Sequence, residues 1–106
     1  MIKQIFAIKR KPGLSFAEFK KYYLEKHAPL VKNSFPEIRK YLINFALQRG
    51  KETPFDAIAE LYWDDFETLV KIAKLDTYRS VIVPDEDKFI DRLSVQVILT
   101  EEFPQK

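Results

Sequence analysis

Apolar and polar residues come close to alternating from Ile2 to Arg10, the period of a β-strand, and the run stops at Lys11-Pro12-Gly13, a strong turn signal. The period then changes. Ser15 and Glu18 form an S-x-x-E capping box that Leu14 and Phe19 are placed to staple, and Phe16, Phe19, Tyr23, His27, Leu30 and Val31 follow at helical spacing. Such spacing turns one side of a helix inward. Pro29 is expected to kink or break this helix, because it has no N–H for the carbonyl of Glu25 and its ring crowds the preceding turn.

Beyond Phe35-Pro36, residues Ile38 to Leu47 read as a second strand and Phe55 to Trp63 as a third, joined as a hairpin across Arg49-Gly50-Lys51. Asp64 and Glu67 give an acidic capping signal for a second helix, whose inner stripe is Phe66, Leu69, Val70 and Ala73. Val81-Ile82-Val83 has strand character, but a short helix capped by Asp76 is preferred for Asp76 to Val83. Pro84 to Asp91 is charged and loop-like around Phe89-Ile90, and Leu93 to Thr100 alternates as a fourth strand. The order β-α-β-β-α-β is the split βαβ pattern. It predicts one ferredoxin-like α+β domain over residues 1–106, with a four-stranded antiparallel sheet.

Two helices cover one face of such a sheet and leave the other to water, so the second face ought to be polar. Here both faces carry large apolar groups. In strand two, Leu42 and Ala46 oppose Tyr41, Ile43, Phe45 and Leu47; in strand three, Ile58 and Tyr62 oppose Phe55, Ala57, Ala59, Leu61 and Trp63. A soluble monomer rarely exposes an apolar patch of several hundred Å². A homodimer related by two-fold symmetry, forming a dimeric α/β barrel, is the expected resolution. The competing reading is scattered surface apolarity, which is common.

Composition narrows the classes of function. With 46% hydrophobic and 14% aromatic residues and only two glycines, the chain reads as folded rather than as a linker. The absence of cysteine removes disulfides, thiol nucleophiles and thiolate metal sites. A formal charge of +2 argues against a nucleic-acid binder, and Lys20, Lys21, Lys26 and Lys32 read as the wet face of a helix. Lys3 and Gln4 interrupt the apolar start, so no signal peptide is expected, and no segment is long enough for a membrane span. Cytoplasmic residence is the resulting expectation.

The only histidine, His27, lies on the inward stripe between Tyr23 and Leu30. A local helix end at Pro29 favours its protonated form and burial favours the neutral form, a balance suited to a general acid or base. A satisfied core histidine is the competing reading. Asp56, Ile58, Glu60 and Tyr62 share one face of strand three, and Asn44, Gln4 and Gln96 are possible partners for the carboxylates. A register slip of one residue reverses these faces, and pairing of Asp56 and Glu60 with Lys or Arg at a dimer seam competes with a catalytic role. Tyr22, Tyr23, Tyr62 and Trp63 are candidates to line a pocket for a flat apolar ligand, or are simply core. One imidazole without cysteine cannot close a zinc site, although it suits an axial haem ligand; no phosphate loop or serine elbow is present.

Two runs, Ile5-Phe6-Ala7-Ile8-Lys9-Arg10-Lys11-Pro12-Gly13-Leu14-Ser15 and Phe19-Lys20-Lys21-Tyr22-Tyr23 with His27-Ala28-Pro29-Leu30, resemble the N-terminal half of EthD domains. Asp56-Ala57-Ile58-Ala59-Glu60-Leu61-Tyr62-Trp63 resembles the family's third-strand motif. The resemblance implies a ferredoxin-like fold, dimerisation through the sheets and a cavity between sheet and helices. It also implies His27 as the leading catalytic candidate, with Glu60, Asp56 and Tyr23 as weaker ones; Tyr23, Tyr22, Asn44, Tyr62 and Trp63 are taken from the residues themselves as substrate-binding candidates. The expected activity is cofactor-independent oxidoreductase or lyase (dehydratase) chemistry on a hydrophobic small molecule, with no metal. A non-catalytic metabolite-binding or accessory dimer, and haem binding through His27, are the alternatives.

Overall fold

In the computed structural model, which describes residues 1–106, four strands form one antiparallel sheet in the order β2-β3-β1-β4. They are β1 (Ile2–Ile8), β2 (Lys40–Phe45), β3 (Ala57–Trp63) and β4 (Gln96–Thr100). Pairing of Phe6 with Ala59 and Val97, and of Tyr41 with Leu61, puts these residues on one face. That face is covered by helices, and Ala57, Ala59, Leu61 and Trp63 are all buried on it. Lys3, Ile5, Leu42, Asn44, Ile58, Glu60, Tyr62 and Ile98 fall on the other face by alternation. The architecture is the expected ferredoxin-like α+β fold.

The first helical arm runs through α1 (Phe16–Tyr22), a π-turn (Tyr23–His27) and α2 (Ala28–Ser34). Its start is the expected capping box: Glu18 N–H donates to Ser15 Oγ at 3.1 Å, and Ser15 N–H to Glu18 Oε1 at 3.0 Å. Pro29 does not break the arm, which stays helical through it. Instead the turn before it widens, so that Ala28 N–H bonds Tyr23 O, five residues back. Widening accommodates a ring that a regular turn would press against the Glu25 carbonyl.

The same device recurs in the second arm. After α3 (Phe66–Ala73), a π-turn (Tyr78–Ile82) leads into α4 (Val83–Glu86), and Val83 N–H bonds Tyr78 O immediately before Pro84. The preferred helix at Asp76 to Val83 is therefore present, but it continues into the segment expected to be loop. The cap of α3 is Asp65, whose carboxylate accepts from Thr68 N–H at 2.8 Å; Asp64, the expected cap, pairs with Arg39 instead. Strand four begins at Gln96, after a short 3₁₀ turn at Arg92–Ser94.

Phe19 and Phe89 are the largest fully buried side chains, and their rings lie 5.8 Å apart. Phe89 is held by its backbone as well. Lys11 N–H donates to Phe89 O at 2.9 Å and Asp91 N–H to Lys9 O at 3.0 Å, with Arg10 bridged to Ile90. These bonds tie the acidic segment after Pro84 to the end of β1. They bring Asp85 and Glu86 over the sheet.

Candidate functional site

The two π-turns flank a cavity of about 240 Å³ between the sheet and the helices. Sixteen of its nineteen lining residues are hydrophobic, and the exceptions are Gln4, His27 and Glu86. Its volume lies just below the roughly 300–1,000 Å³ of pockets for drug-sized ligands, so it suits a molecule of one or two rings. His27 comes from the first π-turn and Ile82 from the matching end of the second. No helix in the structure is long and apolar enough to cross a membrane.

His27 is 3% exposed, and its Nδ1 lies 2.8 Å from Asp85 Oδ2. Tyr22 donates its hydroxyl to the other carboxylate oxygen, Oδ1, at 2.6 Å, and Lys88 Nζ lies 3.9 Å from the same oxygen. A carboxylate on Nδ1 fixes the proton there. The opposite nitrogen, Nε2, has no protein partner, and no sealed side-chain nitrogen or oxygen lacks one, so Nε2 opens into the cavity that His27 lines. The Phe89 ring, 4.8 Å from the imidazole, and the Tyr23 ring, 5.7 Å away and edge-on, hold its orientation.

Burial lowers the His27 pKa from 6.5, and Asp85 only partly offsets this. The balance between helix end and burial is thus decided by burial, since the helix does not end at Pro29. A neutral imidazole results. For Asp85, burial acts upward, but the hydrogen bonds from Tyr22 and His27 together with nearby charge hold it below the ordinary carboxylate range. The constellation is an ionised carboxylate, a neutral imidazole oriented by it, and a free ring nitrogen in an apolar chamber. Orientation of an imidazole by a buried carboxylate is the arrangement that prepares a general base.

Glu86 stands opposite in character. Burial raises its pKa, and Arg92, whose Nε lies 3.3 Å from Oε1, only partly offsets the effect. Burial likewise raises the Tyr23 phenol well above its usual value and Tyr41 to about 12. Both remain neutral hydroxyls. Gln4 completes the polar lining, accepting from Trp63 Nε1–H at 3.1 Å.

Of the residues singled out from the sequence, His27, Tyr23 and Trp63 meet at the cavity. Tyr22 stands behind it, on Asp85. Glu60, Asn44 and Tyr62 lie on the opposite sheet face and do not reach it: Glu60 binds Lys3 at 2.6 Å and Asn44 at 2.9 Å, and Tyr62 donates to Glu102 at 2.9 Å. Asp56 sits just before the start of β3, accepting from Arg10 N–H and Arg10 Nη1, each at 2.8 Å. Glu60 and Asp56 are ion-paired away from the cavity, because burial of Ala57, Ala59, Leu61 and Trp63 turns the residues that alternate with them to the other face. Asp85 and Glu86 were missed. Their signal was a second π-turn-and-proline pattern, Ile82-Val83-Pro84, matching His27-Ala28-Pro29.

Fold and site together define a ferredoxin-like α+β protein with a small apolar chamber and one carboxylate-oriented imidazole. The chain belongs to the EthD domain family, whose model matches residues 11–93. Among solved structures it is similar to an EthD-family protein from Bacillus halodurans, at 25% identity and a TM-score of 0.74 over 97% of this chain and 100% of that one. It is also similar to a dimeric ferredoxin-like protein from Bacteroides fragilis, at 12% identity and a TM-score of 0.67 over 95% of each chain. A third likeness is to an antibiotic biosynthesis monooxygenase, at 19% identity and a TM-score of 0.62 over 98% of this chain and 100% of that one. The last two likenesses concern the fold alone. No curated protein matches the sequence.

Proposed function

We propose that this protein catalyses cofactor-independent proton transfer on a small apolar molecule, with His27 as the general base. The observation that carries the reading is the 2.8 Å contact of Asp85 with Nδ1, which leaves Nε2 free toward the cavity. Removal of a proton from an activated carbon is the first step of a dehydratase-type lyase. It is equally the first step of a cofactor-free oxidation in which the resulting carbanion gives its electrons to dioxygen, the co-reactant and oxidant. An apolar chamber keeps His27 neutral and ready to accept a proton, and by excluding water it strengthens the contact with Asp85 that stabilises the imidazolium once formed.

A bicyclic ketone with an acidic α-carbon, 2-tetralone, provides a direct probe. Wild-type protein in deuterated buffer should accelerate loss of the α-proton signal by NMR, and His27→Ala should return the rate to background. Equal rates for the two proteins would end the proposal and favour a non-catalytic binding role.

The protein is further proposed to act as a homodimer. Support comes from exposed apolar residues on both sides of the edge strand β4 and in the segments beside it: Leu93, Val97, Ile98, Leu99 and Phe103 are each at least 42% exposed. The open sheet face is more mixed than the alternation alone suggested, because Lys3, Glu60 and Glu102 form a charged cluster on it. Sedimentation should give twice the chain mass; a stable monomer at working concentration would refute the dimer.

A further inference from the structure

Glu86 reaches the cavity without being used by the His27–Asp85 arrangement. One of its carboxyl oxygens meets Arg92 at 3.3 Å, while the other has no protein partner. Tyr23 and Tyr41 line the same chamber, and the Tyr23 hydroxyl is turned to that of Tyr41, which leaves the Tyr41 proton available to a ligand. Both feel the charge of Glu86, as does Tyr78, another lining residue. The chamber therefore has a polar pole made of hydroxyls and one carboxyl. No lysine or arginine lines it.

We infer that the cavity selects a neutral ligand bearing a hydroxyl or enol oxygen over the carboxylate of the same shape, and that Glu86 sets this selection. The inference rests on the reading of the cavity as a ligand site, and it adds the ligand class. A ligand hydroxyl donates to the free Glu86 oxygen and accepts from a tyrosine hydroxyl, which satisfies all three groups. A ligand carboxylate finds no cation and meets a second carboxyl group at close range in an apolar setting, where like charges disfavour each other. An unsubstituted hydrocarbon leaves the polar pole desolvated and unpaired.

Calorimetric titration at neutral pH with 2-naphthol, 2-naphthoate and naphthalene tests this on the intact protein. The naphthol should bind, and the other two should bind at least about tenfold more weakly, the effect of leaving one buried polar or charged group without a partner. Glu86→Gln, checked for folding by thermal melting, should narrow the gap between naphthol and naphthoate, because an amide donates to a carboxylate without repelling it. Tyr41→Phe gives an independent arm that leaves the carboxyl in place: it should weaken naphthol and leave naphthalene unchanged. Equal affinities for naphthol and naphthoate, failure of all three to bind, or an unchanged gap in Glu86→Gln would overturn the inference. The tetralone exchange assay separates the two proposals. Exchange without ligand discrimination removes only the selection by Glu86, and discrimination without exchange removes only the catalytic reading.

Discussion

Replacing Asp85 with asparagine perturbs the site at a single charge. The carboxylate uses both oxygens as acceptors, Oδ1 for Tyr22 at 2.6 Å and Oδ2 for His27 at 2.8 Å. An amide has one acceptor and one donor, so one of these partners must rearrange. If the NH₂ group faces His27, the imidazole proton moves to Nε2 and the base is blocked; if it faces Tyr22, the tautomer survives but the charge that stabilises the imidazolium is gone. Either way the base weakens. A general base contributes about 10²–10⁴ in rate, so tetralone exchange should fall by at least about a hundredfold. Loss of a hydrogen bond to a charged group costs about 1.5–3 kcal/mol, and with about 4–8 °C per kcal/mol for a domain of this size, Tm should drop on the order of 10 °C. The His27 pKa should fall further, because both influences of Asp85 on it act upward. Exchange within about twofold of wild type would refute the assignment of a base oriented by Asp85, given the scale of general-base effects.

The pH dependence has a definite sign. A lowered His27 pKa means that exchange should rise with pH through a midpoint below 6.5 and level off above it, as a rate profile will check. Stability should fall on acidification below 6.5, because the unfolded chain takes up the proton at His27 more readily than the folded one, and fall again as Asp85 protonates below 3.8; thermal melts across pH read both. Glu86 acts in the opposite sense, its folded-state contribution weakening as pH rises above 4.5. Asp56→Ala removes two hydrogen bonds at 2.8 Å from Arg10 and should cost about 1–3 kcal/mol in denaturant melts. Its exchange rate should not change, since Asp56 does not line the cavity that holds His27. Phe89→Ala empties a fully buried site at the junction of both helical arms and should cost about 3–5 kcal/mol, measured by the same melts.

The elements of this fold were legible because their periods are clean. Alternation in β1 and β3, the Ser15–Glu18 box and the inward stripe through Phe19, Tyr23 and His27 each follow from local chemistry. Half of the candidate site was not legible, for two physical reasons. A π-turn advances the chain by an extra residue, so periodicity carried through Pro29 or Pro84 misjudges what lies beyond. Pro84-Asp85-Glu86-Asp87-Lys88 is also too polar to resemble a buried element. It is drawn inward by Phe89 and by backbone bonds to Lys9 and Lys11, contacts distant in sequence. Glu60 illustrates the converse. Its face was decidable in principle, because a strand that buries Ala59 and Leu61 must turn Glu60 away.

Because the chain has a single histidine, its ring nitrogens can be observed without assignment ambiguity in a long-range ¹H–¹⁵N NMR spectrum. At neutral pH the spectrum should report a neutral ring protonated at Nδ1 and bare at Nε2, with a titration midpoint below 6.5. A ring protonated at Nε2, or an imidazolium persisting at neutral pH, would contradict the account of His27 as a base poised over the cavity.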